Sequence, residues 1–152
     1  MRFRRTKPRL TTRIEDLTAA LWAHASGVYS AEAAVGLLIG HERWLGRSDF
    51  VDQFVTMVGD DDAGDDDAGV RTVTAMAAVE WPTAVAALEA GGLPCSSGEA
   101  QVLRLAASIG AGMSVDLGDA LCGLDRANLT LVAEAVLHAG GYPLVIRTRS
   151  GL

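Results

Sequence analysis

Lysine is almost missing from this chain: Lys7 is the only one, against twelve arginines. Cysteine is nearly as scarce, with two in 152 residues. Cys95 and Cys122 are too few and too far apart for a disulfide framework or a four-ligand zinc site, and they read as small apolar side chains in a reducing compartment. The longest apolar run, "AAVGLLIG" at 33–40, falls far short of the roughly 20 residues of a membrane span. No apolar stretch of signal-peptide length follows the basic start. These absences point to a cytoplasmic protein with no membrane partner.

Catalytic signatures are also lacking. His41-Glu42 begins like a zinc-protease motif, but Leu45 stands where the second histidine belongs. There is no G-x-S-x-G elbow, no phosphate-binding loop with its lysine and no dinucleotide fingerprint. His24, His41 and His138 sit on three different expected helices. The expectation is a non-enzymatic protein that needs no cofactor and no metal. An enzyme or ligand binder with a pocket among Trp22, Trp44 and Trp81 is the alternative of a different class.

What is abundant is apolar surface at helical spacing. Hydrophobic residues make up 49% of the chain, enough for one domain with a core of its own. Ile14, Leu17, Leu21 and Ala25 share a face behind a cap at Thr12, and Ser30 caps a second helix through "AEAAVGLLIGHERWL". The wide apolar stripe of that second helix, with Val35, Leu38 and Leu45 on one side, places it at the centre of the domain. Ser48 opens a third helix with Val51, Phe54, Val55 and Val58 in register. After an acidic stretch, "VRTVTAMAAVE" reads as a helix bent at Trp81-Pro82, and "TAVAALEAGG" continues it to a glycine stop. Ser96 and Glu99 form an S-x-x-E capping box. Asp116 and Asp125 cap the last two helices, the final one burying Leu129, Val132 and Val136. The expected fold is all-α, an orthogonal or irregular bundle of about seven to eight helices. It divides into a flexible basic arm (1–12), a helical domain (13–141) interrupted by an acidic loop (59–69), and an extended tail (142–152), whose "YPLVIRTR" is the one strand candidate.

Charge is unevenly placed. Six of the thirteen basic side chains, Arg2, Arg4, Arg5, Lys7, Arg9 and Arg13, fall in the first thirteen residues, which hold none of the nineteen acids; the rest carries a formal charge of −12. That arm could contact nucleic-acid phosphates, with Phe3 adding a stacking surface. The loop "GDDDAGDDDAG" is a tandem repeat of six aspartates, solvated by self-repulsion. It fails calcium-loop spacing, because the twelfth position from Asp60 is Arg71.

Residues 96–141 have the outline of a helix-turn-helix, yet they hold only Arg104 and Arg126 against five acids. A DNA reader needs basic residues around its recognition helix, so this unit reads as packing. Gly36 and Gly40, four apart inside the second helix, would let another helix approach closely. The leading expectation is therefore a helical protein-interaction module whose partner is another protein or a second copy in a homodimer, with nucleic-acid association through the arm as the alternative.

"AEAAVGLLIGHERWLGRSDFVDQFV", "VEWPTAVAALEAGGLPCSSGEAQVLRLAAS" and "VDLGDALCGLDRANLTLVAEAVLHA" together resemble a group of small, uncharacterised actinobacterial helical proteins. The resemblance covers most of residues 14–141 outside the acidic loop. It implies a bacterial cytosolic origin and one coherent domain, and attaches no activity or site residues.

Overall fold

The computed structural model describes residues 10–59 and 75–142, with side chains from residue 13 onward. Seven helices are present among them: α1 (Leu10–Ala25), α2 (Tyr29–His41), α3 (Ser48–Phe54), α4 (Trp81–Glu89), α5 (Ser97–Ala111), α6 (Leu117–Cys122) and α7 (Arg126–Ala139). Two short strands, β1 (Val55–Val58) and β2 (Met76–Val79), pair antiparallel with Val55 opposite Val79 and Val58 opposite Met76.

The fold is mainly helical, and the strands correct the all-α expectation. Val55 and Val58, expected to prolong the third helix, lie instead in β1. The helix stops at Phe54, and Val55 is already extended at φ −115°, ψ 118°. Both strand segments are short and apolar, and Val55 and Val58 have the branched side chains that suit a pleated surface. A hydrophobic pattern this short fits either period, and pairing between the two segments decides it. Over its described residues, 75–80, the helix expected through "VRTVTAMAAVE" and its bend at Trp81-Pro82 are replaced: β2 ends at Val79 and α4 starts afresh at Trp81. Pro82 then falls in the first helical turn, where its missing N–H costs nothing.

α2 sits at the centre, packing against α1, α5 and α7, while α1 also lies against β2. Trp44, Phe50, Leu21, Leu38, Leu93, Leu103 and Val102 are almost wholly buried. Trp44, Phe50 and Phe54 form a tilted aromatic run with centroid separations of 5.2 and 5.7 Å. No polar or charged residue is buried outright among the described residues, so this core is held by apolar burial and packing.

Three expected N-caps are made, though the capping box at Ser96 is only half formed, since the Glu99 side chain does not accept from the Ser96 N–H among the described residues. Ser96 Oγ accepts from the Glu99 N–H, Asp116 from the Asp119 N–H, and Asp125 from the Asn128 N–H. Thr12 and Ser30 lie inside their helices instead, and Ser48 is the first helical residue behind Arg47. α7 is also turned from its expected face. It buries Val132 and Ala135, leaving Leu129 and Val136 exposed. The cause is Gly40: a Cβ there would stand 2.9 Å from Leu131 Cδ2, so the missing side chain is the slot into which Leu131 packs. No helix among the described residues is long and apolar enough to cross a membrane.

Candidate functional site: a polar cleft around His41

The cleft forms where α2 ends. His41 is its last helical residue, and Glu42 follows in the left-handed region at φ 66°, the one non-glycine residue with positive φ among those described. That conformation turns the chain sharply, with the Glu42 N–H still donating to the Leu38 carbonyl at 3.0 Å. His41 and Arg43 flank the turn, and both line the cleft. Trp44 then plunges into the core and donates its indole N–H to the Glu99 carbonyl at 2.9 Å, tying this turn to the first turn of α5.

Opposite His41, two helices begin side by side. Ser96, Gly98 and Glu99 come from the start of α5, and Asp125 and Asn128 from the start of α7, with Gly123 between α6 and α7. Together with His41 and Arg43 they line a cleft of about 300 Å³. A Cβ on Gly98 would meet nothing nearer than the Gly123 carbonyl at 3.6 Å and Asn128 Nδ2 at 3.9 Å, so this glycine leaves room rather than relieving a clash.

The electrostatics are mixed. Two helix N-termini bring partial positive charge, and Asp125 stands on one of them as its cap. Glu99 and Asp125 supply negative charge, and Arg43 supplies a guanidinium that makes no ion pair among the described residues. His41 is held below the usual histidine range, first by burial; Glu99 and Asp125 pull it back up and Arg43 pushes it further down. Neutral imidazole is therefore favoured. Its Nδ1 is buried and has no hydrogen-bond partner, the one such side-chain atom among the described residues. A buried polar atom left unpaired costs about 1–3 kcal/mol. Folded proteins meet such a cost with a protein group, an ordered water or a bound ligand.

Other candidates fall elsewhere. Arg2, Arg4, Arg5, Lys7 and Arg9 lie outside the described residues, as do most of the acidic loop and all of the tail beyond Tyr142. Arg13 is in α1, paired with Asp52 at 2.7 Å. The three tryptophans share no pocket: Trp44 is core, Trp22 packs over Gly36 with its ring 3.4 Å from the missing Cβ, and Trp81 lies against Gly110. The close approach expected at Gly36 and Gly40 is thus filled from within the chain, by Trp22 of α1 and Leu131 of α7. His138 contacts Glu32 at 3.3 Å, remote in the fold from His41. Cys95 and Cys122 are free, and burial pushes the Cys95 thiol up, which keeps it protonated and a poor nucleophile. No group of three or more potential metal-ligating side chains gathers among the described residues.

Sequence reasoning saw Ser96 and Asp125 as caps and set His41 aside. The signal available was Gly98, a glycine in the first turn of a helix with no turn to explain it. Compared with known proteins, the chain matches no family model, no curated protein and no solved structure.

Proposed function

We propose that the protein is a helical small-ligand-binding protein whose ligand sits in the cleft between the end of α2 and the starts of α5 and α7. One observation carries the reading: His41, half-buried and with its Nδ1 unpaired, is part of the lining of a polar cleft large enough for a small molecule. Arg43 and the Asn128 side-chain amide lie in the same lining, also without hydrogen-bond partners among the described residues. Amide and imidazole spectra recorded with mixtures of small metabolites test it. At least one mixture should shift His41, Gly98 and Asn128 together, and filling the cleft with Gly98→Leu should abolish the shift. If no mixture moves these three residues, the cleft is not a binding site.

A specific observation favours a second reading, the protein-interaction module. Val28, Tyr29, Leu137 and Tyr142 are 57%, 55%, 48% and 72% exposed. They gather at one end, where Gly141 approaches the Tyr29 ring and the Tyr142 N–H bonds the Leu137 carbonyl. Such a patch fits contact with another protein or a second copy. Sedimentation across the micromolar range decides the self-association form: a dimer lost in Tyr29→Glu supports it, and a monomer at every concentration removes it.

A further inference from the structure

Resting on the ligand-binding reading above, we infer that the ligand is a small zwitterion, a free α-amino acid or a compound of the same amine-and-carboxylate chemistry. The cleft carries unspent charge of both signs. Arg43 offers a planar fork suited to a carboxylate, and Glu99, whose side chain makes no hydrogen bond or ion pair among the described residues, offers an acceptor for an ammonium group. Asp125 uses one oxygen to cap α7 and keeps the other for the same ammonium. The positive ends of α5 and α7 lie at Glu99 and Asp125 themselves and offset part of their charge, so the two carboxylates together are what make this end fit an ammonium.

Other ligand chemistries leave part of this wall unmatched. A phosphate or dicarboxylate would bring two negative charges against Glu99 and Asp125. A diamine would bring its second ammonium against Arg43. A sugar would leave the guanidinium and the carboxylate both uncompensated in a site that its own binding dries. A nucleobase would find no Trp, Tyr or Phe in the lining, only the half-buried His41 ring. At about 300 Å³, the space is at the small end of ligand sites, which suits a molecule of amino-acid size. The neutral His41 ring and the Asn128 amide, each able to donate and accept, then set the orientation between the two charged ends.

The test is a titration of the full chain with L-serine and L-glutamine, and in parallel with succinate, putrescine and glucose, following the His41 ring and the Gly98 and Asn128 amides by NMR. Saturable shifts are expected from the amino acids and from none of the other three. Arg43→Gln and Glu99→Gln should each weaken binding by about tenfold or more, the loss of one charge-assisted contact. Neither variant removes a contact the fold relies on. Silence from both amino acids, or unaltered binding in both variants, overturns the zwitterion. Saturable shifts from succinate, putrescine or glucose alone would overturn it too, while leaving the cleft a binding site; the mixture screen decides that broader question independently.

Discussion

Where Ala34 faces Gly110, α2 and α5 approach so closely that a Cβ on the glycine would stand 2.8 Å from the Ala34 Cβ and 3.2 Å from Trp81 Nε1. Where His41 leaves α2 and Ser96 opens α5, the same two helices border an open polar cleft. One contact is tight and has no room for a methyl; the other has spare volume, charge and an unpaired nitrogen. The same helix pair can do both because its tight seam fixes the backbone, so the cleft's side chains need not fill space to hold the fold together. The difference teaches that a glycine has two opposite uses here. Gly110 permits contact, and Gly98 prevents it.

Substitutions that treat the two glycines alike should therefore give unlike results. Gly110→Ala forces a methyl into occupied space and should destabilise by about 1–3 kcal/mol, the usual cost of overpacking. Gly98→Ala should change stability by no more than about 0.5 kcal/mol, as for substitutions that disturb no buried contact. Denaturant unfolding of both variants measures this, and equal losses would erase the distinction. Trp44→Phe, which keeps a ring in the core but removes the donor to the Glu99 carbonyl, should cost about 1–2 kcal/mol. It should also shift the amide resonances of the α5 first turn. Ser96→Ala, on the cleft side alone, should cost about 1 kcal/mol by loss of its cap.

Two smaller effects sharpen the picture at His41. Glu42→Gly should stabilise the fold by about 0.5–1 kcal/mol, because glycine reaches the left-handed region without the steric cost that glutamate meets there. A thermal melt checks the sign. The pH effect follows from burial of His41. Its folded pKa is below the unfolded value of about 6.5. Below that value the unfolded chain takes up a proton that the folded one resists, so this contribution to stability is present above it and is lost as pH falls, levelling off beneath the folded pKa. Glu99, Arg43 and Asp125 are the charges facing the ring, and the two carboxylates keep the effect modest. His41→Gln should melt with less loss than the native chain between pH 7 and pH 5, and parallel losses would show that His41 does not titrate as described.

Much of the helical framework is legible in the sequence. The caps at Ser96, Asp116 and Asp125 announce themselves because a short polar side chain followed by a free N–H is a local arrangement. The central place of α2 shows in its wide apolar stripe. The strands are not legible, since Val55–Val58 and Met76–Val79 are four residues each and only their pairing across the intervening segment selects the extended form. The turn of α7 escapes for a related reason. Whether Leu131 or Leu129 faces inward depends on Gly40, a residue far away along the chain. The cleft is illegible as a site because its members come from three separate stretches, 41–43, 96–99 and 123–128, and each has a sufficient local explanation. Only the unpaired nitrogen distinguishes the place where they meet.

The most direct test of a cleft built to receive a ligand is the pH titration of the His41 imidazole by NMR in the ligand-free protein. The expected midpoint lies below that of an unperturbed histidine, with Nδ1 showing no sign of a hydrogen-bonded partner and the midpoint returning upward in Arg43→Gln. A midpoint at or above about 6.5 would mean that Glu99 and Asp125 outweigh burial, that the ring is charged or already paired, and that the cleft is not waiting for a ligand.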